Sequence, residues 1–333
     1  MRKLTKFAAA VFAAVCLLSP QQTLAAKADS SLPETLVPVG ETVGICVKAE
    51  GVIVVRLSDP GDTPDPAGLM PGDVIVGING HPVANGEEMR SALAQTAEEP
   101  VQVTLRRDGE RMDVSVQTTE ADGRRVFGIW ARDAMMGIGT VTYYDPNADT
   151  FGALGHEIRD TETDVDLVME NGALFDAQIT GVIRSTPGEP GQIQAVFVEE
   201  NPLGHTSENH DCGLFGSGCG SLAGGYGPVP VASEDEIRTG DAVLLSDVAG
   251  GEARQYAVEI TRVYGALAPE GHTLLVTVKD PALLELTGGI VQGMSGSPIL
   301  QDGKLVGAVS HVLVNTPQRG YAVSMEQMLK AAG

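Results

Sequence analysis

Short apolar runs separated by glycine, proline, asparagine and aspartate cover most of the chain, and few stretches carry a helical period. Residues 43–47 and 51–55 are two adjacent apolar runs that read as a hairpin pair. Residues 101–106 and 112–116 alternate in the manner of strands about an Asp108-Gly109 turn, and Asn79-Gly80 is a second strong hairpin signal. Met89, Leu93 and Ala97 recur at a spacing of four, which predicts a helix over 86–97. From Arg124 onward the runs shorten: 127–130, 139–144, 179–183, 193–198, 242–245, 255–263, 273–278 and 305–314. Many short strands with turn signals between them predict a mostly β fold built as a sandwich or barrel. Residues 324–332 read as a short terminal helix.

Composition bounds the function. A chain of 333 residues has room for two or three domains, and 43% hydrophobic content with 41 glycines fits a folded, turn-rich β protein. The net charge is −22 and the basic residues form no stripe, which argues against nucleic-acid binding. The N-terminus has a basic start (Arg2, Lys3, Lys6), an apolar stretch over 7–18 and an Ala26-Lys27-Ala28 cleavage signature. Residues 1–28 therefore read as a secretory signal or a retained membrane anchor, and 29–36 as a linker. Export across the cytoplasmic membrane of a bacterium is the expected localisation, in the cell envelope or beyond. Beyond Cys16 in the apolar stretch, three cysteines remain: Cys46, Cys212 and Cys219. An odd number argues against a full disulfide framework, though Cys212 and Cys219 share a glycine-rich segment and could pair.

Residues 67–83, AGLMPGDVIVGINGHPV, carry a long ordered pattern of glycine, Pro-Gly-Asp and Asn-Gly. On it, residues 37–119 resemble a PDZ domain of the kind attached to bacterial proteases. The resemblance implies a groove between a strand and the helix that takes a peptide terminus by β-augmentation. By position, Val43, Gly44, Ile45 and Cys46 would form the carboxylate-binding loop.

Gly293-Met294-Ser295-Gly296-Ser297-Pro298 sets one serine between two glycines. The glycines permit backbone conformations that aim successive N–H groups at one point, so Gly293 and Ser295 are the candidate oxyanion-hole donors and Ser295 the candidate nucleophile. Ser297 is its competitor within the loop. A base is required. His81 and His272 sit in turn-like segments that read as exposed. His156 follows the small-residue run 151–155, as at a strand end or in a tight turn facing a cleft, and ranks first. His311, in the apolar run after the serine loop, ranks second, as a cleft-lining group or an alternative base. Asp280, fifteen residues before Ser295, is the candidate carboxylate to orient the imidazole, although Asp-Pro is also an ordinary turn. Asp160, Asp164 and Asp166 read as solvated. The segment 204–228 holds His205, His210, Cys212 and Cys219 without a C-x2-C pair, so it reads as a regulatory or substrate-shaping loop rather than a zinc site. No metal or cofactor is called for.

Residues 145–160 (DPNADTFGALGHEIRD) and 279–315 (KDPALLELTGGIVQGMSGSPILQDGKLVGAVSHVLVN), downstream of the PDZ-like module, together resemble the SpoIVB peptidase family of sporulation serine endopeptidases. The resemblance implies a chymotrypsin-like double β-barrel over 124–333, with His156 as base, Asp280 as carboxylate and Ser295 as nucleophile. It further implies a membrane-associated partner whose cleavage leads, through an intramembrane protease, to sigma-factor activation, and trimming of the enzyme's own N-terminal region. Two other readings stand beside it. One is a general envelope quality-control protease of HtrA type, which usually places the protease before the PDZ domain. The other is a non-catalytic PDZ scaffold.

Overall fold

A computed structural model describes residues 32–58, 68–97, 99–160, 162–163, 168–223, 225–265 and 272–333. The expected signal over 1–28 and the start of the linker lie outside the described residues, as do Asp164 and Asp166. Among the described residues no helix is long and apolar enough to cross a membrane.

The strands form two rings, with a smaller module inserted in sequence within the first. The second ring is a closed six-stranded barrel, in spatial order Gly240–Ser246, Arg254–Val263, Leu274–Val278, Arg319–Ser324, Lys304–Val312 and Pro298–Gln301. Its alternate side chains, among them Leu244, Val258, Ile260, Val276 and Val309, fill one core. The first ring runs through Thr42–Leu57, Ile129–Asp145, Thr150–Ala153, Gly213–Ser217, Gly204–His210 and Met169–Ile183, and closes where the last of these pairs with Thr42–Leu57 again. Full closure leaves the second ring without exposed sheet edges around its circumference. Residues 204–228, expected to be a loop, instead supply the hairpin Gly204–His210 and Gly213–Ser217. Leu214 and Phe215 are buried there, and burial of apolar alternates outweighs the loop-like glycine content.

The PDZ-like module uses the two turns expected of it. Asn79 (φ 49°) and Gly80 (φ 78°) join Val74–Ile78 to His81–Pro82, and Asp108 (φ 51°) and Gly109 (φ 79°) join Val101–Arg107 to Glu110–Val116. Both central residues of each turn take positive φ, the geometry that matches strand twist in two-residue hairpins. Its helix is Gly86–Gln95, capped by Asn85 accepting from the Glu88 N–H, with Leu93 buried against Val54, Ile75 and Val103.

One expectation changes here. Residues 43–47 and 51–55 do not form a hairpin; they are one strand, Thr42–Leu57, that faces the same partner, Ile129–Asp145, along its length. The register jumps from Lys48↔Ala134 to Ile53↔Arg132, and Gly51 (φ 117°) takes up the bend. The first half places Val43, Ile45 and Val47 in the first barrel's core; the second half places Val52 and Val54 in the PDZ-like core. Thus the strand that opens the module expected from residue 37 is shared between the first barrel's core and the PDZ-like core. The chain enters the first barrel, leaves it to build the PDZ-like module, and re-enters along Ile129–Asp145.

Candidate active site

The serine loop is shaped by its glycines and by two buried threonines. Gly293 and Gly296 both take φ +97°, and a Cβ on Gly296 would lie 2.0 Å from the Thr140 carbonyl oxygen. The Thr140 hydroxyl donates to the Gly293 carbonyl at 2.7 Å, the Thr140 N–H to the Ser295 carbonyl at 2.9 Å, and the Thr142 hydroxyl to the Gly296 carbonyl at 2.7 Å. With those carbonyls held by the first barrel, the backbone N–H groups of Gly293 and Ser295 make no hydrogen bond among the described residues. Such free, paired donors next to a serine suit a developing oxyanion. Thr140 and Thr142 were not singled out from the sequence. Their only signal there is an i, i+2 pair in an apolar strand, which puts both hydroxyls on one side.

Ser295 lines a cleft of about 850 Å³ together with His156, His311, Gly293 and Ser310. Its hydroxyl donates to the Ser310 carbonyl at 2.8 Å. Ser297 is fully buried, and its hydroxyl has no partner among the described residues, so it does not reach the cleft.

His156 follows the strand Thr150–Ala153 through two left-handed residues, Leu154 (φ 70°) and Gly155 (φ 67°). A left-handed leucine is costly, about 1–2 kcal/mol, and is held here by burial and by its N–H donating to the Thr140 carbonyl. The turn swings His156 into the cleft. Its Nδ1–H donates to the Glu157 carbonyl at 2.7 Å, which leaves Nε2 with the lone pair a base needs. Burial lowers its pKa below the ordinary histidine value; the Glu157 carbonyl opposes this and the nearby His272 adds to it.

His272, expected to be exposed, is half-buried instead and packs against His311 and Tyr321. The His311 ring lies 4.7 Å from that of His156 and 5.0 Å from that of His272, which stacks on Tyr321 at 4.7 Å. Pairing of Lys304–Val312 with Arg319–Ser324 sets His311 opposite Tyr321, and pairing of Leu274–Val278 with the same strand brings His272 in from its other side. The His311 pKa is pushed down to about 4, first by lost solvation and then by its two imidazole neighbours.

Asp280 is not brought to His156. Its carboxylate caps the helix Pro281–Thr287, accepting from the N–H groups of Ala282 at 2.9 Å and Leu283 at 3.1 Å, and from that of Ala257 at 3.3 Å. Among the described residues no carboxylate is hydrogen-bonded to His156; a backbone carbonyl does the orienting. Asp160, expected to be solvated, is buried. It accepts from the N–H groups of Glu162 and Thr163 and from the Thr163 hydroxyl, and lies 3.4 Å from Arg132.

A model of the SpoIVB peptidase S55 family matches residues 123–329, and a PDZ domain model matches residues 38–118. The chain belongs to the SpoIVB peptidase family. It is a PDZ-containing serine endopeptidase with a mostly β, barrel-based fold. Among solved structures, the active form of the Rv3671c protease from M. tuberculosis is 16% identical, covering 60% of this chain and 75% of that one at a TM-score of 0.32. The HtrA-type protease AlgW with a decapeptide is 9% identical, covering 89% and 64%, at a TM-score of 0.35. Likenesses of that size carry no argument about the site. A curated protein of Rhizobium meliloti (strain 1021), named "Putative zinc metalloprotease", is 28% identical over 87 residues, or 26% of this chain. The chain spans under a quarter, 23%, of that relative's length.

In this SpoIVB-family peptidase the residues expected to form a carboxylate-binding loop do something else. Val43, Gly44, Ile45 and Cys46 lie mid-strand with both edges taken. They pair with Gly139, Ile138, Gly137 and Met136 on one side and with Asp176, Phe175, Leu174 and Ala173 on the other. Their N–H groups are committed to the ladder, so no nest for a peptide terminus remains. The four residues weighed for zinc are also kept apart in role. Cys219 packs in the first barrel's core with its thiol pushed up to about 12 by burial, Cys212 packs against a different cluster, and His210 pairs with Glu208 at 3.0 Å. Cys212 and Cys219 are both free thiols.

Proposed function

We propose that Ser295 is the nucleophile and His156 the general base of this endopeptidase. The observation that carries the reading is a glycine-bounded serine in the same cleft as a histidine whose Nδ1–H is satisfied by the Glu157 carbonyl at 2.7 Å. For reaction, the Ser295 hydroxyl turns from the Ser310 carbonyl toward His156 Nε2. The nitrogen takes the proton as Oγ bonds to the scissile carbonyl carbon, and the carbonyl oxygen becomes an oxyanion facing the Gly293 and Ser295 N–H groups. Collapse expels the amine, which takes the proton from His156, and water then hydrolyses the acyl ester by the same route. Losing one oxyanion donor in such a site typically costs about 10²–10³ in kcat.

The biological reading rests on the family resemblance and on the secretory signature of residues 1–28. The enzyme is exported to the cell envelope, where it cleaves a membrane-associated regulator and its own N-terminal region in a sporulation signalling sequence. A fluorophosphonate probe with peptide mapping tests the chemistry: label on Ser295, lost in Ser295→Ala, is expected, and label on any other serine overturns it. Conversion of the full chain to a shorter form by the native protein, abolished in Ser295→Ala, tests the self-processing. An uncleaved N-terminus in a fluorophosphonate-reactive enzyme overturns it.

A further inference from the structure

The strand Lys304–Val312 is tied directly to the serine loop. The Gly296 N–H donates to the Val309 carbonyl at 2.7 Å, the Val309 N–H to the Ser297 carbonyl at 3.0 Å, and the Ser295 hydroxyl to the Ser310 carbonyl at 2.8 Å. The next residue is His311, so these bonds fix its place beside the candidate nucleophile. A β-bulge fixes its direction. Val309 pairs with Ala322 and His311 with Tyr321, which leaves Ser310 as an extra residue on its strand. Strict alternation would send Val309 and His311 to the same side. With the bulge, Val309 lies in the barrel core, while His311 lines the cleft and is exposed to it. The His311 ring is braced between His156, at 4.7 Å, and His272, edge-on at 5.0 Å. Among the described residues neither of its ring nitrogens has a hydrogen-bond partner.

We propose that His311 is the specificity residue of this cleft, its ring N–H donating to the side-chain amide oxygen of a glutamine that precedes the scissile bond. The proposal rests on the Ser295 reading, because a carbonyl held at Ser295 puts the side chain next to it against the segments that flank the loop, 290–293 and 310–312. Ile290, Val291 and Val312 line the cleft there and suit the methylene stem of a glutamine. Neither 290–294 nor 310–314 contains Asp, Glu, Lys or Arg. A lysine or arginine of the substrate therefore finds no carboxylate on these segments. Glu157 and Asp160, elsewhere in the cleft, face Arg159 and Arg132, each at 3.4 Å. Lost solvation, His156 and His272 together hold the His311 pKa at about 4, so at neutral pH the ring is uncharged and offers one N–H. A glutamate would bring an unbalanced charge against neutral rings, which is costly away from water. A methionine fills the same slot but leaves the His311 N–H unpaired.

The test uses the full-length protein and peptidyl phosphonates that bond covalently to a reactive serine, carrying glutamine, methionine, glutamate or lysine next to phosphorus. At neutral pH the glutamine probe is expected to label about tenfold faster than the methionine probe, the worth of one uncharged hydrogen bond. The glutamate and lysine probes are expected to be slower than methionine. His311→Phe keeps a ring but no N–H, and should bring the glutamine-to-methionine ratio to about one. His311→Asn keeps a donor and should restore part of the ratio. A merely structural His311 would slow all four probes alike and leave the ratio unchanged. Glutamine no faster than methionine in the native protein, glutamate or lysine fastest, or a ratio unchanged in His311→Phe overturns the proposal. The native ordering is read without any variant, so a misfolded His311→Phe does not obscure it. A small fluorophosphonate separates the two readings. Its label on Ser295 with flat peptidyl rates removes the role of His311 alone, whereas its absence from Ser295 removes the nucleophile and the pocket built on it.

Discussion

Asp280 separates two accounts of this peptidase, one in which it caps a helix and one in which it orients His156. The carboxylate accepts from the Ala282 and Leu283 N–H groups at 2.9 and 3.1 Å, the pattern of an N-cap, with Pro281 at the first helical position. Replacing Asp280 by Ala leaves two N–H groups without their acceptor, at a cost of about 1 kcal/mol within a 0.5–2 range. In a domain of this size that lowers the melting temperature by about 2–4 °C. Replacing it by Asn keeps a cap of nearly equal quality, so the transition should move by under about 1 °C. If Asp280 were instead the orienting carboxylate of a triad, Asn would present the wrong hydrogen-bonding partner to the imidazole and lower kcat by about 10⁴ with folding intact. Calorimetry beside peptide-hydrolysis kinetics on Asp280→Asn and Asp280→Ala decides the matter. The structure leads us to expect near-native kcat for Asn and a destabilised, still active Ala variant. A loss near 10⁴ in the Asn variant would refute the capping account and with it the orientation of His156 by the Glu157 carbonyl.

Other consequences can be measured separately. With the His156 pKa lowered by burial, the acid limb of kcat/KM is expected below the ordinary histidine value of about 6.5, and a limb above it counts against His156 as base. His311 titrates near 4 when folded and near 6.5 when unfolded, so the unfolded state binds more protons between these values. Its contribution to stability is therefore present above about 6.5 and is lost as pH falls toward 4; His311→Gln should flatten that part of the melting-temperature profile. Ser297→Ala removes a fully buried hydroxyl with no partner among the described residues, so it should raise stability by about 1 kcal/mol and leave probe labelling intact; lost labelling would make Ser297 part of the chemistry. Thr140→Val deprives the buried Gly293 carbonyl of its donor, with an expected cost of about 1–3 kcal/mol and slower labelling of Ser295, both recovered by Thr140→Ser.

Much of this architecture was open to reading in one dimension wherever short-range chemistry decides it. Asn79-Gly80 and Asp108-Gly109 make their turns because few dipeptides accept positive φ twice. Val101, Val103 and Leu105 alternate inward, and Leu93 faces the core of the PDZ-like module. Gly293 and Gly296 take the positive φ that glycine permits, which makes Ser295 between them the candidate nucleophile. The small-residue run before His156 marks its turn. What failed depended on partners far away in the chain. Residues 43–55 look like a hairpin because apolar runs interrupted by Gly51 usually are. Pairing with Ile129–Asp145 made them one strand, and pairing on the other edge with Met169–Ile183 removed Val43–Cys46 from any loop. Asp280-Pro281 permits a cap as readily as a triad member, and only the position of the helix Pro281–Thr287 decided between them. His272 and His311 meet because Leu274–Val278 and Lys304–Val312 both pair with Arg319–Ser324 in the second barrel. The sequence by itself determined the turns, the alternating faces and the glycine-bounded form of the candidate serine loop, since each depends on neighbours within a few residues. Tertiary structure alone decided which threonines hold the loop and which two cores one strand serves, since those follow from contacts between residues far apart in the chain.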